Sequence, residues 1–252
     1  MQSLLLMLLF LGTMAAAAYV GMAVRKRLPD DHTADSSRDT VLRSVALVVT
    51  LSSIVLGFLV GSAKSYYGSV EDQLTEIAAD VAAIDRLLMR YGAEAEPARL
   101  LLREAVGSSA LAVWSGHKSS PAKAGQGRGF ELSEQLYDAI VGLPDGGPRQ
   151  ASLRDQALVQ LASMQHAGLK LSRIAQARPQ TPMLAVVLSW LVIIFLGFGL
   201  VSPKTGTALA SLALAAFAAA GGLFLIVELY SPVSGLLQIP PSILEGALPA
   251  LR

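Results

Sequence analysis

Four uncharged, strongly apolar runs, Ser3–Val24, Ser44–Ala63, Met183–Ser202 and Gly206–Val227, fall in two pairs toward the two ends of the chain. A helix needs about 20 apolar residues to cross a hydrocarbon core of about 30 Å. Each run is long enough, so the pattern predicts an all-α integral membrane protein. Its four transmembrane helices are arranged 2 + 2, with a polar helical region between the pairs.

A second periodicity follows the second run. Val70, Leu74, Ile77, Val81, Ile84, Leu88 and Tyr91 alternate spacings of four and three, and Glu71, Asp72, Glu76, Asp80, Asp85, Arg86 and Arg90 fill the positions between. This seam is that of a bundle or coiled-coil helix. No stop signal separates it from the second run, and one helix from Val41 to Tyr91 would be about 75 Å long at 1.5 Å per residue. Leu28–Thr40 reads as a loop, with Arg43 at the mouth of the helix.

Gly92 ends that helix, and Pro97, preceded by Glu94 and Glu96, opens another running to about Trp114. Gly116–Gly129 reads as a loop, Glu131–Val141 as a short helix and Gly142–Pro148 as a break. A long helix is expected from Arg149 to Ala177, with its seam at Leu153, Ala157, Met164, Ala167, Leu171 and Ile174 and with Leu161 adjoining. The domains expected are 1–63 (membrane helices one and two), 64–182 (a polar bundle with coiled-coil-like long helices), 183–230 (membrane helices three and four) and 231–252. The last is an amphipathic tail, with Leu244, Ala247, Leu248 and Leu251 on one face of a short helix lying on the membrane or the bundle.

Composition narrows the function classes. Charged residues make up 15% of the chain against about 25% for a soluble domain, and the deficit sits in the four runs. A net charge of +1 gives no global field to attract nucleic acid or anionic lipid. With no cysteine there is no disulfide, thiol nucleophile or thiolate metal site. His32, His117 and His166 lack metal-ligand spacing. Gly125–Gly129 lacks the Lys-Ser/Thr of a phosphate loop. With no nucleophile–base or paired-carboxylate arrangement either, the expectation is no enzyme, no catalytic residue, no cofactor and no metal.

Arg25-Lys26-Arg27 follows the first run, whereas a cleaved signal peptide carries its positive charges before it. A retained first helix is expected. The short loop Arg25–Arg43 holds five Lys/Arg, and the other short loop holds Lys204. By the positive-inside rule both face the cytoplasm, which puts the bundle and both termini on the extracytoplasmic side of the cell membrane.

Ser53, Gly57 and Gly61 recur every fourth residue on helix two and let another helix approach closely, within or between subunits. Packing is the favoured role, ahead of a pore lining. The hydroxyls of this helix are expected to bond their own backbone. Glu228 is the carboxylate at the end of helix four and Lys64 its counterpart at the end of helix two. The expected topology places both at one side, where they form a candidate interfacial charge pair.

Three stretches carry a resemblance. They are Ser53–Gly61 running into Tyr66-Tyr67 and the acidic heptad helix; Trp190, Phe198-Gly199-Leu200 and Pro203; and Leu225–Gly235 around Glu228. The chain resembles the bestrophin-like domain family of bacteria over nearly its whole length, with Tyr230 where an acidic residue is expected. The resemblance implies an analogy to bestrophins, which are pentameric anion channels with an apolar neck of large residues on helix two. Ile54 and Phe58 match two neck positions, and Ser62 occupies the third. Bestrophins hold the intervening domain in the cytosol, opposite to the reading from loop charge.

The functional expectation is a self-associating membrane protein in the lipid bilayer, with helix two around an axis and an inorganic ion as candidate permeant. The alternative is a membrane-anchored sensor or scaffold whose bundle binds a ligand or partner.

Overall fold

The computed structural model describes residues 2–27, 35–114, 127–144, 146–176, 181–203 and 205–247. Parts of the expected loops, namely 28–34, 115–126, 145, 177–180 and Lys204, lie outside the described residues. So do His32, His117 and the 248–252 end of the tail.

The described residues are helical, with no strand. The elements are α1 (Gln2–Arg25), α2 (Asp35–Tyr91), a 3₁₀ turn (Ala93–Ala95), α3 (Glu96–Trp114), α4 (Arg128–Val141), α5 (Pro148–Gln176), α6 (Thr181–Val201), α7 (Gly206–Leu229) and α8 (Ser242–Glu245). Helices α1, α2, α6 and α7 are long and apolar enough to cross a membrane. Helix α2 begins six residues before the expected Val41, because Asp35–Thr40 contains neither Gly nor Pro to stop it. The chain divides into two compact units, residues 1–65 with 179–230, and residues 66–178 with 231–252.

The first unit is built on small residues. A Cβ added to Gly21 would collide with the Leu196 carbonyl oxygen, and one on Gly199 with the carbonyl of Ala18, so α1 and α6 cross backbone to backbone. A Cβ on Gly197 would meet the Val45 side chain of α2. Beyond the α1–α6 crossing, Arg25 Nη1 donates to the carbonyls of Val201 (3.1 Å) and Ser202 (2.7 Å). A cation thus satisfies carbonyls that the end of α6 leaves without helical partners. These contacts advance together along both chains, so α1 and α6 are parallel. Gly222 lies against Leu56, and Tyr230 meets Ser62, so α2 and α7 are parallel too. Val45 against Gly197 sets the two pairs antiparallel. Phe10, Met14, Leu59, Val187, Phe195 and Leu223 fill the space between.

The second unit buries the predicted seam. Val70, Leu74, Val81, Ile84, Leu88 and Tyr91 of α2 pack with Leu102, Leu136, Ile140, Ala157, Leu161 and Leu171. Gly92, at φ +130°, ends α2. Tyr91 locks that end: its hydroxyl donates to the Pro144 carbonyl, and its own carbonyl accepts from Gln150 Nε2 at 3.0 Å. Arg99 of α3 donates to Asp85 at 2.9 Å and to Glu96 at 2.9 Å. Residues 231–247 complete this unit. The Ile239 carbonyl accepts from Trp114 Nε1 at 2.9 Å, and Leu244 and Ala247 enter the core. The described part of the expected apolar face, Leu244 and Ala247, is therefore used in the bundle, although α8 itself is a single turn.

Two predictions follow from these cores. Gly199→Ala forces backbone apart and is expected to cost about 1–3 kcal/mol. Gly221→Ala, with nothing within 4 Å of its Cβ position, should stay within about 0.5 kcal/mol of the parent; thermal melts of the solubilised protein compare them. In the second unit, outside the apolar runs, Asp80 is 9% exposed with Oδ2 unpartnered among the described residues. Burial, helped by Glu76 and opposed by a Ser163 hydrogen bond, holds its carboxyl above the usual aspartate range. The folded state then binds the proton more tightly than the unfolded one, so stability from this group is lost as pH rises through the raised value. Asp80→Asn should raise the melting temperature at neutral pH, and the gain should vanish below about pH 4, where the unfolded carboxyl is protonated too.

Candidate functional site

The residues singled out on α2 fall on two sides of the helix. Val45, Ser52, Leu59 and Ala63 face the core of their own unit. Ser53, Ile54, Gly57, Phe58 and Gly61 are exposed, Ile54 at 66% and Phe58 at 61%. Nothing lies within 4 Å of a Cβ built on Gly57 or Gly61. Within the protomer, then, these glycines are not consumed in packing; that role belongs to Gly21, Gly197 and Gly199. Ser53 Oγ donates to the Val49 carbonyl at 2.8 Å and Thr50 Oγ1 to that of Ala46 at 3.0 Å. Their hydroxyls are satisfied within the helix, and the stripe presents small, apolar relief.

Ser62 departs from this stripe. It is half-buried, and its Oγ lies 3.3 Å from the Tyr230 hydroxyl just past the end of α7. This contact places Ser62 in the helix pairing of the protomer, at the end of the unit opposite Arg25. Glu228, two residues before Tyr230, is 0% exposed, whereas Lys64 is exposed. The two expected partners therefore occupy different environments. Keeping a carboxylate in an apolar helical unit is costly, and such a group is a site of interest in a membrane protein.

Among the described residues no group of three or more His, Asp or Glu side chains is placed to hold a metal ion. His166 is exposed on α5. Trp114, read from sequence as merely closing a helix, instead pins residue 239 through its indole N–H. Sequence reasoning also missed the Ser62–Tyr230 pair. Its one signal was that a polar residue interrupted the Ile54, Phe58 series at Ser62, while Tyr230 interrupted the family pattern at the facing helix end.

Removing either hydroxyl, by Ser62→Ala or Tyr230→Phe, is expected to cost about 0.5–1.5 kcal/mol. The double variant should cost less than the sum, which a double-mutant cycle of melting free energies reads as coupling.

A family model described as bestrophin-like domain matches residues 12–244. No curated protein and no solved structure matches the chain.

Proposed function

The chain belongs to the bestrophin-like domain family and is a multi-pass membrane protein; from that premise we propose a homo-oligomer in which the exposed stripe of α2 packs around a common axis and lines an ion path. The observation that carries the reading is the outward placement of Ser53, Gly57 and Gly61, with open space beside the two glycines. Lipid offers no hydrophobic drive for helices to associate, so close approach at small residues is what holds them together. Ile54 and Phe58 flank the stripe and would form the narrow apolar part of the path. Ser62, already engaged by Tyr230, would stand outside the constriction.

In this reading the layout is 2 + 2. The parallel α1 and α6 run toward the cytoplasm and α2 and α7 return. Arg25, Lys26, Arg27, Arg38 and Arg43 then lie at the cytoplasmic end, and the bundle is extracytoplasmic. The role is conduction, not catalysis. A second reading is favoured by one feature: α2 is a single helix that serves both units. A partner or ligand on the bundle could act on the membrane segment through it, making the protein a sensor.

The cysteine-free chain makes the test direct. Single cysteines at Ser53, Gly57 or Gly61 are expected to form intersubunit disulfides in membranes, while cysteines at Leu59 or Ala63 should not. Gly57→Leu should weaken association about tenfold or more, equivalent to about 1.4 kcal/mol, and abolish current in planar bilayers. Absence of cross-links together with a single-chain mass in detergent would overturn the assembly. A closed ring without current would leave the sensor reading in its place.

A further inference from the structure

The end of the first unit opposite Tyr230 holds a pocket of about 340 Å³, lined by Met22, Arg25, Lys26, Ser202 and Pro203. Two of its five lining residues are cationic and none is acidic. Arg25 is held in place because its Nη1 bonds the Val201 and Ser202 carbonyls. A guanidinium carries five N–H groups, so Nε and Nη2 retain donors beyond those two bonds. Lys26 is exposed beside it. Both cations sit where the apolar runs of α1 and α6 stop.

A surface leads away from the pocket along α1. Leu8, Gly12, Ala15 and Tyr19 are all exposed and recur at spacings of four, three and four, and the same face continues to Met22 and Lys26. Nothing lies within 4 Å of a Cβ position on Gly12. Between Leu8 and Tyr19, which is 70% exposed, this face is therefore a shallow apolar track about three turns long.

We propose that the pocket binds the phosphate of an anionic phospholipid, with Arg25 and Lys26 as its donors and one acyl chain lying along the Gly12–Ala15 track. A phosphodiester suits a fixed guanidinium fork with a mobile ammonium beside it. The apolar track below the cations selects a lipid over a free anion. The site is independent of the α2 interface, since every lining residue belongs to α1 or to the end of α6 and the residues that follow it.

Native mass spectrometry of the full-length, delipidated protein tests this with phosphatidylglycerol and phosphatidylcholine of identical chains. Phosphatidylglycerol is expected to bind at least about fivefold more tightly, the worth of one cation near a lipid phosphate. Lys26→Gln should remove most of that preference. Arg38→Gln, a cation outside the lining, should leave it intact. Gly12→Phe should weaken both lipids together by filling the track. Arg25 is left unchanged because it also caps α6. Equal affinity for the two lipids, an unaltered preference in Lys26→Gln, or displacement of phosphatidylglycerol by millimolar inorganic phosphate would each overturn the proposal.

Discussion

Hydrocarbon offers a backbone no hydrogen bonds, and that constraint shapes the first unit. Each spanning segment must be a helix that satisfies itself, and its ends must find partners elsewhere. Helix α6 solves its C-terminal end by borrowing the guanidinium of Arg25 from α1. That works only because Gly21 and Gly199 bring the two backbones together one turn earlier. Small residues thus set the distance between α1 and α6, and a single cation ties their ends together. The parallel sense of α1 and α6 follows from these contacts, and the antiparallel sense of α2 and α7 against them from Val45 on Gly197, Leu56 on Gly222 and Ser62 on Tyr230.

The second unit depends on water and has an ordinary apolar core. The α2 seam buries its large side chains against α3, α4 and α5, and polar groups appear where they have specific partners. Arg99 joins α3 to Asp85, and Tyr91 ties the end of α2 to the turn before α5. Gln73, Arg103 and Asp80 are exceptions, each with a buried side-chain atom unpartnered among the described residues, and the carboxyl among them is that of Asp80. Its cost falls on the helix that also serves the first unit. The chain belongs to the bestrophin-like domain family, and its α2 leaves the small residues Ser53, Gly57 and Gly61 exposed.

Periodicity determined much on its own. Four apolar runs mark the helices that can cross a bilayer, and alternating spacings of four and three identify the seam from Val70 to Tyr91, buried at every position but the half-buried Ile77. Both are one-dimensional signals: hydrocarbon demands an unbroken apolar length, and a helix facing a core demands a repeat near 3.6. Gly92 was legible as a terminus for the same reason, since a positive φ favours glycine there.

Tertiary structure decided which small residues pack and which remain open. Gly21, Gly197, Gly199, Gly57 and Gly61 look alike in a sequence, because a glycine records only that a side chain is missing, not what occupies the space. The approach of α1 to α6 fills it at Gly21 and Gly199, Val45 of α2 fills it at Gly197, and it stays empty at Gly57 and Gly61. The same holds for Ser62 with Tyr230 and for Trp114 with Ile239. Each joins positions more than a hundred residues apart, and no local spacing encodes a contact made only when distant helix ends meet.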